Sequence, residues 1–267
     1  MNLRDIYLIS MITFKEMTRK GLFYLILFFS GGIIVFSYYM NFFSLGSQAP
    51  IIKDFSISSM TFFSVVLTIA LSMTLIPAEI ENKTIYPILS KPVRRYEYIL
   101  GKFFGVMLLV ALNLVILTVL LSIILGFKEG SLNFIIFKAG LLILAECMVI
   151  CALTIFLSMF VTPPVNFALM FFIFLFGNLS HSYVGYIVGI MLAGASGAAV
   201  WLTYITAFIM QAVKTVLPTF ALFNIKDAIV HGYAVSNAYA AEIILYALLY
   251  TSCVIMLTYL KFEDKDL

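Results

Sequence analysis

The chain has 267 residues, of which 63% are hydrophobic and 11% are charged, and its mean hydropathy is +1.11. Soluble domains have about 45–50% apolar and about 25% charged residues, so this composition excludes a soluble protein and indicates an integral membrane protein. The length accommodates one membrane domain of about five to seven helices of about 20 residues each, with no room for a soluble domain. The net charge of +3 comes mostly from predicted cytoplasmic loops, so it reports orientation and does not indicate nucleic-acid binding.

Residues 2–20 predict a helix that lies along the membrane surface. Apolar residues recur on one side at steps of three and four: Leu3, Ile6, Tyr7, Phe14 and Met17. Charged residues gather on the other side: Arg4, Asp5, Lys15, Glu16 and Arg19. Because no short apolar core ends in a small-residue cleavage site, we expect no removable signal peptide.

Six apolar segments predict membrane-spanning helices, at about residues 22–40, 58–76, 103–125, 134–160, 165–178 and 239–260. Thr162-Pro163-Pro164 separates the fourth from the fifth, because proline lacks an amide donor and disfavours helical conformation in the residue before it. The outer loops are expected at 41–57, 126–133 and 178–238. A polar tail is expected at 261–267.

The longest strongly polar segment, residues 77–102, lies between the second and third predicted spans and reads PAEIENKTIYPILSKPVRRYEYILGK. We expect it to be an aqueous loop. A loop that only sets orientation needs Lys and Arg, but not ordered Glu, Thr, Ser-Lys-Pro and Gly-Lys positions. Pro87 clashes with any turn before it, so a helix preceding it must be short or kinked.

This segment resembles the loop after the second membrane helix in permease subunits of ABC-2 type ABC transporters, in the group that includes permeases of copper-enzyme and nitrous oxide reductase maturation systems. That loop has the form E-I-E-x-x-T-I-x-x-I-L-S-K-P-V-x-R-x-x-Y-x-L-G-K. The resemblance implies that residues 78–91 form a coupling loop, whose first part is a coupling helix that docks on a separate cytoplasmic ATPase. Its coupling residues are Glu79, Glu81, Thr84, Ile85 and Leu89. Its supporting residues are Ser90, Lys91, Pro92, Arg95, Gly101 and Lys102. In the same family, the position of residues 2–20 holds an interfacial elbow helix.

Residues 183–216 leave two topologies open, because this apolar stretch is interrupted by Gly194-Ala195-Ser196-Gly197. It forms either a re-entrant or interfacial segment on the outer side, with six crossings in all, or a seventh crossing. Both arrangements obey the positive-inside rule equally well. The segment Leu217–Gly232 resembles the family's extracytoplasmic L-P-x-x-x-x-F-x-x-x-D-x-x-x-x-G stretch. The resemblance therefore implies an all-α membrane protein with six transmembrane helices and both termini in the cytoplasm.

Motifs for chemistry within the chain are absent from the sequence. There is no G-x-x-x-x-G-K-[ST], so ATP and Mg²⁺ are expected in the partner ATPase and not here. The chain also lacks H-E-x-x-H and G-x-S-x-G, and its only histidines are His181 and His231, so neither a metal nor a catalytic residue is expected. Cys147 and Cys151 share a helix face, yet buried cysteines acting as small hydrophobes explain them better than a metal or sulfur site.

Glu146 falls near the middle of the fourth predicted span, where an unpaired carboxylate is costly. Two interpretations stay open. It could line a substrate path, or it could stabilise helix packing through a hydrogen bond, with Asn113 of the third span as the candidate partner.

The function implied by the resemblance is that of a permease subunit that exports a substrate across the cytoplasmic membrane of a prokaryote. A second permease copy, in a homodimer, and cytoplasmic ATPase subunits are the expected partners. The alternative is a signalling subunit that transmits ATP-driven motion to an extracytoplasmic accessory protein without cargo. The short predicted outer loops favour transport over this alternative.

Overall fold

The computed structural model describes residues 3–40, 48–81, 94–129, 135–179, 218–230, 233 and 235–263. Within these ranges the regular structure is helical. The α-helices are α1 (Leu3–Arg19), α2 (Leu22–Met40), α3 (Gln48–Ser72), α4 (Leu75–Glu81), α5 (Arg95–Glu129), α6 (Ile135–Leu157), α7 (Pro163–Leu179), α8 (Lys226–Val230) and α9 (Asn237–Glu263). A short 3₁₀ helix, Phe220–Phe223, precedes α8.

Five of the described helices are long and apolar enough to cross a membrane by length and composition: α2, the α3–α4 unit, α5, α6 and α9. The shorter α7 is also apolar. These helices agree with the predicted all-α membrane class. The interval 183–216, where the choice between six and seven crossings lies, is outside the described residues.

Helix α6 is the centre of the bundle. It packs against α3, α5, α7 and α9, and most of its residues are buried, whereas Phe137 and Leu141 on one side are exposed. Apolar residues in every direction are typical of a core or membrane-spanning helix, which explains why this segment shows no amphipathic pattern.

The bundle has two ends. We call one the α1 end, because it carries α1 together with Glu79 of α4 and Phe262 of α9. We call the other the α8 end, where Lys226 of α8 forms an ion pair with Asp54 near the start of α3, at 2.9 Å. At that same end, Lys138 at the start of α6 donates a hydrogen bond to the carbonyl of Val235, at 3.1 Å.

The predicted outer loop at 41–57 is wrong from residue 48 onward, because α3 begins at Gln48. Pro50 does not prevent this, since amides in the first turn of a helix have no intrahelical acceptor. The extra turns are stabilised by packing: Ile52 and Ser56 are fully buried, and Ser56 shares a hydrogen bond with Ser37 of α2.

The predicted aqueous loop at 77–102 is wrong at its second edge, because residues 95–102 are the first two turns of α5. At its first edge residues 75–81 form the short helix α4, in the part of the segment where the resemblance implied a helix. Pro77 explains the turn between α3 and α4, because its ring would clash with the carbonyl of Met73 in a continuous helix. The start of α5 is fixed by Glu97, whose carboxylate accepts a hydrogen bond from the amide of Arg94 at 3.2 Å, as in one half of a capping box.

The remaining boundaries shift by smaller amounts. Helix α7 begins at Pro163 and not near 165, because a proline at the first helical position loses no hydrogen bond. Helix α9 continues to Glu263, so the predicted polar tail at 261–267 begins inside a helix. Helix α5 reaches Glu129, which shortens the predicted loop at 126–133.

Candidate coupling site

The polar segment predicted for coupling is anchored by a largely buried carboxylate, that of Glu79. Glu79 of α4 accepts hydrogen bonds from two residues of α5: the Tyr98 hydroxyl reaches one carboxylate oxygen and the Lys102 ammonium reaches the other. Tyr98 and Lys102 lie one helical turn apart and therefore share a face of α5. Lys102 also lies over the Tyr98 ring, at 5.8 Å from its centroid. Both flanks of the interval 82–93 are thus joined by one ionic and hydrogen-bonded cluster.

Charge balance in this cluster explains the presence of a third charged residue, Glu16 of α1. Lys102 is only 3% exposed, and a buried ammonium requires nearby negative charge. Glu79 supplies one carboxylate in direct contact, and Glu16 supplies a second at 4.0 Å. Glu16 also pairs with Lys20 at 3.3 Å on the exposed side of α1. The cluster therefore connects α1, α4 and α5.

Gly101 has a packing role that its motif position alone did not reveal. A side chain there would bring its Cβ within 2.6 Å of Ile9 of α1, and one at Gly105 would come within 2.6 Å of Thr13. Two glycines four residues apart allow two helix backbones to approach closely, as in small-residue contacts between membrane helices. Gly101 and Gly105 thus form the surface of α5 on which α1 packs.

The face of α1 that meets α5 is narrower than the predicted apolar side. Ile6, Ser10, Thr13 and Met17 are buried, whereas Tyr7, which was placed on that side, is 61% exposed. Small hydroxyl residues fit here because their oxygens bond within α1: Ser10 donates to the carbonyl of Tyr7 and Thr13 to that of Ile9.

Arg95 connects the start of α5 to the end of α9. One of its guanidinium nitrogens donates a hydrogen bond to the carbonyl of Phe262 at 2.9 Å. Basic side chains commonly bind the free carbonyls at helix C-termini. Phe262 is fully buried, and its ring stacks on Tyr98 with 6.0 Å between centroids.

The structure brings together four of the residues that the sequence named for coupling and support: Glu79, Arg95, Gly101 and Lys102. Glu81 is the last residue of α4. The others lie outside the described residues: Thr84, Ile85, Leu89, Ser90, Lys91 and Pro92.

Three participants had no role at this site in the sequence analysis: Glu16, Tyr98 and Phe262. The four-residue spacing of Tyr98 and Lys102 was a signal that both face one acceptor, but nothing in the sequence indicated which carboxylate that was. Glu16 and Phe262 are separated from Glu79 by long stretches of chain, so no local pattern could have found them.

The two polar residues predicted inside the membrane do not share a hydrogen bond in the described part of the chain. Glu146 of α6 is buried and is hydrogen-bonded to Asn178 at the end of α7. Asn113 of α5 is fully buried and accepts a long hydrogen bond of 3.5 Å from Ser64 of α3. Each residue therefore connects a different pair of helices.

Cys147 and Cys151 are both fully buried on the inner face of α6, where Cys147 contacts the Thr68 hydroxyl. Among the described residues, no group of three or more His, Cys, Asp and Glu side chains is arranged to hold a metal ion. Both histidines, His181 and His231, lie outside those residues.

A comparison with protein-family models matches residues 19–267 to the ABC-2 family transporter proteins. A comparison with curated proteins gives no match. The family match covers nearly the whole chain, and it agrees with the long apolar helices of the fold. Members of this family are the multi-pass membrane components of ABC transporters, and ATP is hydrolysed by a partner subunit. The chain therefore belongs to the ABC-2 family of transporter permeases.

Proposed function

We propose that the chain is the permease subunit of an ATP-driven exporter and that residues 78–91 couple it to a cytoplasmic ATPase. The observation that carries this proposal is the Glu79 cluster. A segment that receives force from a partner must be attached to the helices that move, and Glu79 is held from two sides by α5. Lys102 extends the attachment to Glu16 of α1, and Tyr98 extends it to α9 through Phe262.

Helices α4 and α3 connect this cluster to the α8 end of the bundle. Helix α4 follows α3 after a two-residue turn, and α3 continues to Asp54 at the α8 end. A displacement of the coupling segment would therefore act directly on α3 and α5. Both helices pack on the central helix α6, so the displacement would be shared with the core of the bundle.

Contacts at the α8 end support six crossings. A side chain at Gly177, near the end of α7, would have its Cβ at 3.2 Å from the carbonyl oxygen of Pro218, and Phe174 contacts Phe220 with 6.0 Å between ring centroids. An odd number of traverses between Leu179 and Pro218 would put these neighbours at opposite ends. The six-helix arrangement, with both chain ends at the α1 end, agrees with the contacts, and the positive-inside rule makes that end cytoplasmic.

The complete transporter that we propose contains two copies of this chain and two ATPase subunits in a prokaryotic cytoplasmic membrane. ATP and Mg²⁺ bind the ATPase subunits. Closure of those subunits on ATP pushes the coupling segments and switches the two permeases between inward-facing and outward-facing states. The direction of transport rests on the family resemblance alone.

Copurification tests this function. The tagged chain is purified from native membranes, and the bound proteins are identified by mass spectrometry. We expect a stoichiometric subunit that carries G-x-x-x-x-G-K-[ST]. Glu81→Trp should release that subunit and leave the permease inserted, because a bulky side chain would obstruct docking at the end of α4. Asn224→Trp is the matched control, since Asn224 is exposed at the α8 end. Equal recovery of the ATPase from the Glu81 variant and the control would refute the coupling assignment.

A further inference from the structure

The last turn of α9, which follows the apolar part of the helix, is held by contacts with α5. Phe262 is fully buried, although its neighbour Lys261 is exposed and Leu260 is 49% exposed. A terminal helical turn normally frays, because its carbonyls have no intrahelical partner. Here the Phe262 carbonyl accepts a hydrogen bond from Arg95. The last turn of α9 is thus fixed by another helix.

The ring of Phe262 is held by two contacts with α5. It stacks on Tyr98 with 17° between the ring planes, and the Arg95 guanidinium lies over its face at 5.9 Å from the centroid. One turn earlier in α9, Tyr259 makes an edge contact with Tyr96, at 6.4 Å between centroids. Aromatic pairs of this kind contribute beyond their buried area, and a guanidinium over a ring adds electrostatic attraction.

Tyr98 connects these contacts to the coupling cluster. One face of its ring meets Phe262, and its hydroxyl donates to Glu79. The position of that hydroxyl depends on the orientation of the ring, and the ring is fixed by what it stacks against. Since Tyr98 is fully buried, loss of the Phe262 ring would leave space into which Tyr98 could turn.

We propose that Phe262 is a positioning residue for ATPase coupling: the last turn of α9 clamps Tyr98, and Tyr98 thereby holds Glu79 and α4 in place for the ATPase. This inference rests on the proposed coupling function. It makes α9 part of the coupling machinery, although α9 is far along the chain from residues 78–91. It also assigns a role to a residue that the sequence places in a polar tail.

Hydrogen–deuterium exchange on the full chain in lipid nanodiscs tests the clamp without requiring the ATPase. Phe262→Leu keeps the backbone carbonyl but removes the stacked ring. We expect the α4 amides of residues 78–81 to exchange about fivefold faster, as for sites that open locally within one coupled network. Exchange at α8, at the opposite end, should not change. Leu260→Ala is the matched control and should leave both helices as in the original protein.

A double-mutant cycle separates positioning from a general loss of stability. Tyr98→Phe keeps the ring that stacks on Phe262 but removes the hydroxyl that binds Glu79. If Phe262 acts through that hydroxyl, adding Phe262→Leu to Tyr98→Phe should accelerate α4 exchange by less than about twofold. Independent and equal effects of Phe262→Leu in both backgrounds, or an equal acceleration at α8, would overturn the proposal.

Arg95 provides a second route if Phe262→Leu does not insert. Arg95→Met removes the donor to the Phe262 carbonyl and should also accelerate α4 exchange, whereas Arg95→Lys keeps a donor and should restore part of the protection. Unchanged α4 exchange in Arg95→Met would contradict the clamp.

Copurification of the ATPase with the same variants completes the test. Reduced recovery with Phe262→Leu but not with Leu260→Ala is expected. Full recovery despite faster α4 exchange would overturn the assigned role in coupling. Failure of the proposed function itself is distinguishable, because then the unaltered chain would recover no ATPase.

Discussion

Replacing Lys102 with methionine should destabilise the protein more than removal of one exposed lysine charge would. Lys102 is buried and lies in contact with Glu79 and 4.0 Å from Glu16. Removing one partner of a buried pair costs about 3–5 kcal/mol, because the other charge is left uncompensated. An ion pair at 4 Å in a medium of effective dielectric 20 is worth about 4 kcal/mol, which is consistent with that range. The Glu79 side chain is 14% exposed, so we expect a loss at the lower end of this range, about 3 kcal/mol of unfolding free energy.

Equilibrium unfolding in mixed micelles, followed by circular dichroism, measures this effect. The matched control is Lys20→Met, which removes the same group from an exposed pair with Glu16, where both side chains are more than 40% exposed. That change should cost under about 0.5 kcal/mol, because solvent screens exposed ion pairs. The two variants remove the same charge and differ mainly in burial.

The double variant Lys102→Met with Glu79→Gln tests whether the uncompensated charge of Glu79 causes the loss of stability. If the cost arises from a stranded carboxylate, neutralising Glu79 should recover more than half of the lost free energy of unfolding. No recovery in the double variant would mean that lost packing of the lysine stem, and not charge, explains the defect. A cost for Lys102→Met no larger than that of Lys20→Met would refute the claim that the cluster is electrostatically coupled.

Three further predictions concern packing, the buried carboxylate and topology. Gly105→Ala should destabilise the contact between α1 and α5 by about 1–3 kcal/mol, whereas Gly32→Ala should be neutral, because a Cβ there meets nothing within 4 Å. The yield of a crosslink between α1 and α5 measures the difference, and equal yields in the two variants would contradict the close approach. Glu146→Gln keeps a hydrogen-bonding group and should preserve assembly, whereas Glu146→Leu should lose about 0.6–2 kcal/mol of stability. A Glu146→Gln variant that assembles but does not transport would instead place Glu146 on the substrate path. A cysteine at Asp227 should react with an impermeant reagent from outside and one at Lys261 should not; the reverse pattern would contradict the six-crossing orientation.

The sequence by itself determined the class of the protein and the location of its polar segment. Long apolar runs must be helical in lipid, because every backbone amide and carbonyl then finds a partner within its own segment. The same runs gave the approximate positions of the spans, and the ordered positions in 77–102 identified the segment that resembles a coupling loop. These conclusions rest on composition and on local patterns, which a single sequence carries.

The sequence predicted the ends of the helices less accurately. Residues 48–57 were assigned to a loop because they are not continuously apolar, yet they are helical where Ser56 meets Ser37. Residues 95–102 were assigned to a loop because they are charged, yet Lys102 is paired with Glu79 and Arg95 donates to the Phe262 carbonyl inside the protein. In both cases tertiary contacts compensate polar groups that would otherwise favour water.

The tertiary structure alone decided which residues meet at the candidate site. Glu16, Glu79, Tyr98, Lys102 and Phe262 come from four helices distributed over almost the whole chain. Contacts between such distant residues leave no periodic signal, because each depends on how helices cross and not on spacing within one helix. The crossing of α1 over α5 is set by the close approach at Gly101 and Gly105, and that approach brings Glu16 within reach of Lys102.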